Sequence, residues 1–223
     1  MIRMSSLKNW NVLSITKNAK WLVLNAQTKS VNSPNNLNKL IRPFNFHLSH
    51  PMPTSLITNS DHYSRVLAHC AEVKQSLWIG TADIKDAYVK LGGQTVPFLK
   101  VLAQLVRKGV DVRLIHAKEP GPAFREDFDK YPSLIRGLER VLCPRVHFKM
   151  FIFDGKEAYI GNANLTGAGI GMKAENTRNF EAGILTDAPE IVKQAMDQFD
   201  AVFIGLPCEK CKRKAFCGDP AAC

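Results

Sequence analysis

Apolar positions are spread unevenly along the chain. Residues 1–50 scatter them among Asn, Ser and Lys without a sustained period, and residues 31–40 (VNSPNNLNKL) read as a solvated linker. From about residue 55 the pattern tightens. Residues 61–74 predict a helix, with Ser60 or Asp61 at its cap. Residues 76–82 (SLWIGTA) form a short apolar strand. Residues 95–108 repeat apolar side chains at helical spacing through Phe98, Val101, Leu102, Leu105 and Val106, and Gly109 ends the run. Residues 111–115 (DVRLI) have the pattern of a buried strand. Strand, helix, glycine and strand in that order make a βαβ unit, which predicts a parallel sheet in an α/β protein.

Residues 117–131 carry Pro120, Gly121 and Pro122 and read as a loop, and residues 132–140 as a helix. Residues 146–153 and 157–162 read as strands on either side of Asp154-Gly155, a strong hairpin turn signal. Residues 179–186 predict another strand. Residues 188–203 predict an amphipathic helix with Ile191, Val192, Ala195, Met196, Phe199 and Val202 on its apolar side. No internal repeat is present.

Composition bounds the class. With 223 residues, 45% hydrophobic and 22% charged, the chain has enough apolar material for one sizeable core. A wholly disordered chain, a collagen and a coiled coil are excluded. So is a spanning helix, since no run of about 18 apolar residues occurs. The net charge of +10 suggests a polyanionic partner, either nucleic acid or an anionic lipid surface. Its location tempers that suggestion. Residues 1–60 carry +7 with no acidic residue, residues 61–205 only +1, and residues 206–223 carry +2. The division expected is therefore a flexible basic extension (1–54), a catalytic domain (55–205) and a cysteine-rich tail (206–223). The acid-poor N-terminus has one trait of an organellar presequence, but Arg is scarce there, and a cytoplasmic protein is expected.

The chemistry lies in residues 147–164, HFKMFIFDGKEAYIGNAN. His147 and Lys149 are two apart on a strand and share a face, as do Asn162 and Asn164. A two-residue turn at Asp154-Gly155 pairs Phe153 with Lys156, and counting back sets His147 opposite Asn162. Imidazole, ammonium and carboxamides then form one patch, which is costly on apolar strands unless it meets partners or a ligand. A phosphodiester suits the set. Lys and Asn donate to the non-bridging oxygens, and a histidine attacks phosphorus or moves a proton. Strict alternation puts Asp154 on the opposite face, where it shapes the turn or supports the site from behind.

The segment resembles the phospholipase D superfamily signature, H-x-K-x4-D-x6-G-S-x-N, in His147, Lys149, Asp154, Gly161 and Asn164. The departure is Asn162, where the family usually has Ser. Asn179-Phe180-Glu181 looks like the family's strand bearing an acidic residue that steadies the histidine. The resemblance covers about residues 55–205 and implies a mixed sheet flanked by helices on both faces. It also implies a phosphohistidine intermediate formed without a metal, with a second histidine protonating the leaving alcohol. Its catalytic set is His147, Lys149, Asp154, Asn164 and Glu181, with Lys149, Asn162 and Asn164 on the phosphate. Only one such motif is present: His47, His50, His62, His69 and His116 lack its surroundings. Single-motif relatives join two subunits to build one site, so a homodimer with paired His147 side chains is expected.

Four of the six cysteines crowd the last 16 residues: Cys208, Cys211, Cys217 and Cys223. Such spacing suggests a structural zinc ion or an iron–sulfur cluster, and C-x2-C-x5-C is similar to the cysteine triplet of iron–sulfur nucleases. The alternatives are two disulfides in an exported protein, or unligated thiols. Cys70 and Cys143 read as buried core residues. The leading expectation is a phosphodiesterase acting on DNA or RNA. The alternatives are a hydrolase or transferase on anionic phospholipid, and a catalytically decayed nucleic-acid-binding module.

Overall fold

The computed structural model describes residues 54–217 apart from 86 and 92. The expected basic extension, except for Thr54, and Cys223 lie outside the described residues. Nine strands are described: β1 (Ser55–Thr58), β2 (Ser76–Thr81), β3 (Tyr88–Leu91), β4 (Gln94–Pro97), β5 (Asp111–His116), β6 (Leu138–Leu142), β7 (Lys149–Phe153), β8 (Glu157–Gly161) and β9 (Ala182–Thr186). The helices are α1 (Phe98–Arg107), α2 (Pro122–Asp129), α3 (Pro132–Gly137) and α4 (Pro189–Phe203).

Seven strands form one mixed sheet in the order β1-β9-β8-β7-β2-β5-β6, and β3-β4 make a separate hairpin. The β2-α1-β5 unit is parallel, as its sequence predicts, and β6 extends it in parallel. The other neighbours are antiparallel. One face of the sheet packs Leu77, Ile79, Val112, Leu114, Phe151 and Tyr159 against Val66, Leu67 and α1. The other packs Met150, Ile152 and Ala158 under Val192, Ala195 and Phe199 of α4. Helices therefore cover both faces, and no described helix is long and apolar enough to cross a membrane.

The departures from expectation have physical causes. Residues 61–74 run as a π-helix, His62–Leu67, tightening into a 3-10 helix, Ala68–Glu72. Residues 95–97 belong to β4, and Pro97, in extended backbone, caps the start of α1. Within the expected loop, Pro122 opens α2, since its fixed φ suits the first helical position. The expected helix over 132–140 stops at Gly137. A Cβ there would sit 2.4 Å from the Val106 side chain, so glycine allows α3 to pack on α1. The chain then becomes β6 and pairs with β5 from Leu138 opposite Val112 to Leu142 opposite His116. A free parallel edge outweighs the helix preference of Leu-Glu-Arg.

The hairpin turn itself is as predicted: Asp154 and Gly155 have φ of 52° and 63°, and Lys156 N–H donates to the Phe153 carbonyl. The ladder, however, resumes one residue later. Phe153 faces Glu157 and Lys149 faces Gly161. Lys156 is an extra residue in the turn, and the expected pairing of His147 with Asn162 does not form, because β7 begins only at Lys149 and the ladder ends at its pairing with Gly161.

Candidate active site

The antiparallel pairing gathers the motif at one edge of the sheet. Because β7 runs against β2, Met150 near its start lies beside Gly80 near the end of β2. Gly161, at the end of β8, pairs with both Lys149 and Gly183. The starts of β7 and β9 and the ends of β2 and β8 therefore meet at the carboxyl edge of the parallel strands, the usual place for a site in such sheets.

His147 lies two residues before β7 and is exposed. Lys149 is the first residue of β7 and only 5% exposed. Its ammonium stands 3.3 Å from each ring nitrogen of His147 and donates to the His147 carbonyl at 2.8 Å. Burial pulls the Lys149 ammonium below its ordinary pKa, and the Glu181 carboxylate partly offsets this. Glu181 lies just before β9. Its side chain accepts from Asn179 Nδ2 at 3.0 Å, and its carbonyl accepts from Asn59 N–H at 3.1 Å.

The same carboxylate acts on His62, a residue whose sequence surroundings gave no signal. His62 is 1% exposed, bonds the Asn59 carbonyl through Nδ1 at 3.0 Å, and meets Tyr159 edge-on at 5.3 Å. Burial holds the His62 pKa below its usual value, with the Asn59 carbonyl and Glu181 opposing. Tyr159 in turn explains the motif glycine. A Cβ on Gly161 would lie 2.2 Å from the Tyr159 oxygen, and one on Gly183 would lie 2.5 Å from its ring. Two bare glycines facing each other leave room for that ring beneath the site.

Asn162 and Asn164 follow β8. Asn164 Oδ1 accepts from Asp83 N–H at 3.1 Å, while the Thr81 hydroxyl, 3.5 Å from Asn164 Oδ1, donates to the Asp83 carbonyl at 2.8 Å and accepts from Leu165 N–H at 3.1 Å. This ties the loop after β8 to the end of β2. Thr81 is fully buried, and its only sequence signal was its place at the end of a parallel strand.

Asp154 is at the far end of β7. Its carboxylate accepts from the backbone N–H of Lys74, Gln75 and Ser76 at 2.7–3.1 Å. Partial burial alone would raise its pKa, but the three N–H groups together outweigh this and hold it below the usual carboxylate value. Through these bonds Asp154 fastens the hairpin to the entry of β2, at the opposite end of β7 from Lys149.

The profile of a family described as "Cardiolipin synthase, PLD-like domain" matches residues 66–203, more than half of the chain. The chain belongs to the phospholipase D superfamily. A search of curated proteins by sequence finds no match. Among solved structures, NucT from Helicobacter pylori is similar over 67% of this chain and 94% of its own, at 15% identity and a TM-score of 0.50. Nuc from Salmonella typhimurium, a phospholipase D family member, aligns over 67% of this chain and 92% of its own, at 16% identity and a TM-score of 0.48. Phosphatidylserine synthase from Haemophilus influenzae aligns over 66% of this chain and 37% of its own, at 11% identity and a TM-score of 0.49.

In this phospholipase D-like domain the family's usual Ser is Asn162. Its Oδ1 accepts from Ala182 N–H at 2.8 Å, and its own N–H donates to the Ala182 carbonyl at 3.2 Å. The longer side chain thus caps the β8–β9 ladder, which points its amide nitrogen away from Ala182. Phe180, beside Glu181, is 91% exposed.

Proposed function

We propose that this phospholipase D-like chain hydrolyses phosphodiester bonds through His147, with nucleic acid as substrate. One observation carries the reading: an exposed imidazole with a buried ammonium 3.3 Å from both of its nitrogens. A lysine held in low dielectric beside a nucleophile stabilises the charge that grows on the non-bridging oxygens. Neutral His147 attacks phosphorus. As the P–N bond forms, the bond to the leaving oxygen breaks, and that oxygen takes a proton from a second imidazolium. Water then gives its proton to the second imidazole while its oxygen attacks phosphorus, and His147 is released. The second imidazole is His147 of another copy, so the active unit is a homodimer. Lys149 and the amide nitrogens of Asn162 and Asn164 hold the phosphate. Glu181 steadies this cationic cluster.

Phe180 favours nucleic acid, because an exposed aromatic beside a phosphate patch offers a base a stacking surface. A second reading, transfer or hydrolysis on anionic phospholipid, draws on the description of the matched family and uses the same residues. Full-length protein is incubated with single-stranded DNA, duplex DNA, RNA and cardiolipin vesicles in EDTA, beside His147→Ala. Cleavage of a nucleic acid by the wild type alone supports the proposal. Turnover of cardiolipin alone favours the second reading, and turnover by His147→Ala refutes both.

A further inference from the structure

We propose that Cys143, Cys208, Cys211 and Cys217 together bind a thiolate-ligated metal centre. The sequence pattern placed the fourth ligand at Cys223 and left Cys143 in the core. In the structure Cys143 packs against the edge of the core beneath α4 and also faces a cavity. It is half-buried and lines this cavity, of about 240 Å³, together with Cys208, Cys211 and Cys217. Arg145, Phe148 and, from α4, Gln198 and Val202 complete much of the wall.

Two turns present the thiols. Cys143 opens a tight turn with Pro144 at its second position, closed by Val146 N–H to the Cys143 carbonyl at 3.0 Å. After α4, Cys208 and Cys211 bracket another turn, with Cys211 N–H donating to the Cys208 carbonyl at 3.0 Å. Arg213 N–H then points at Cys211 Sγ, 3.4 Å away. A backbone donor aimed at sulfur supports a thiolate ligand. Cys143, Cys208 and Cys211 are in no disulfide.

The cavity also bears on the occupant. Four sulfurs around one zinc at about 2.3 Å lie only roughly 3.8 Å apart. Among the described residues no three Cys, His, Asp or Glu side chains stand close enough to hold a metal ion, so the thiols would draw together as the centre binds. A cavity several times the ~30 Å³ share of a water favours a polynuclear iron–sulfur centre over a single ion. Each thiol releases its proton to solvent as its metal–sulfur bond forms. The centre would join the tail to the connection that delivers His147, four residues after Cys143.

The test uses full-length protein purified without oxygen. Iron, acid-labile sulfide and zinc are measured per chain, with the visible spectrum, for wild type, Cys143→Ser and Cys223→Ser. Apoprotein is also titrated with Co²⁺ as a thiolate probe. The proposal expects one centre per chain in wild type and in Cys223→Ser, and at least a tenfold lower metal content in Cys143→Ser. Iron with sulfide identifies the cluster, and zinc without sulfide identifies a single ion at the same ligands. Thermal unfolding confirms that each variant is folded, and a Cys143→Ala variant substitutes if the serine form is not. Wild type that takes up neither metal nor Co²⁺ overturns the proposal. So does a centre kept in Cys143→Ser and lost in Cys223→Ser.

Discussion

Replacing Asp154 separates support of the fold from participation in the chemistry. Its carboxylate gathers the backbone N–H of Lys74, Gln75 and Ser76, and its backbone adopts a positive φ of 52°. In Asp154→Ala all three donors lose their acceptor at a partly solvated site. Each such bond contributes about 1 kcal/mol net, and water recovers part of it. The left-handed backbone costs alanine about 1 kcal/mol more. Asp154→Ala should therefore lower stability by about 2–4 kcal/mol in urea unfolding at pH 7. Asp154→Asn, which tolerates the backbone and keeps one acceptor oxygen, should lose about half as much.

The pH dependence carries the same signature. The Asp154 pKa is depressed in the folded protein, so its contribution is complete above the unfolded value of about 3.9 and fades as pH falls below it. The stability gap between wild type and Asp154→Asn should shrink in that window. Folded Asp154→Asn should keep turnover within about threefold of wild type. Full stability with turnover lost a hundredfold or more would refute the structural assignment and return Asp154 to the reacting centre.

Four further outcomes follow from the geometry. Lys149→Met should keep the fold but lower kcat by about 10²–10³-fold, read by single-turnover kinetics at saturating substrate, since it removes a buried charge at the phosphate. Gly161→Ala should cost about 1–3 kcal/mol in urea unfolding, because its methyl would meet the Tyr159 oxygen at 2.2 Å. Phe180→Ala should leave stability unchanged and weaken single-stranded DNA or RNA binding by about 1–3 kcal/mol, measured by fluorescence anisotropy. His116 is buried and neutral, its pKa pushed down to about 4 by burial and by Arg140. Its contribution is complete above the unfolded pKa of about 6.5 and fades towards 4, so stability should fall by about 2 kcal/mol from pH 7 to 5. A His116→Gln variant should show a correspondingly flatter profile.

Local signals carried much of this molecule. The β2-α1-β5 unit was legible because apolar period and Gly109 agree on one connection. The His147–Lys149 pair was legible from its spacing, although only Lys149 belongs to β7 and His147 lies just before it. Other features depended on distant partners. Asp154-Gly155 announced a turn, but not that Lys156 adds a residue and shifts the register. The Leu-Glu-Arg run became β6 because the β5 edge lay open to it. His62 reaches Glu181 from 119 positions away, and Thr81 meets Asn164 across 83. Cys143 packs at the core edge as its sequence suggested, but that it also shares a cavity with three cysteines from the chain after α4 was not legible. No spacing rule registers such meetings.

The central claim is that His147 is the nucleophile. Wild type and His147→Ala are mixed with a phosphodiester substrate labelled on one side of the scissile phosphate. The reaction is quenched within one turnover, and peptides spanning residues 146–156 are weighed by mass spectrometry. The account predicts a labelled phosphoryl adduct on His147 in the wild type, formed and lost at rates matching turnover, and no adduct or product with the variant. Rapid product formation with no adduct on His147, or undiminished turnover by His147→Ala, would contradict it.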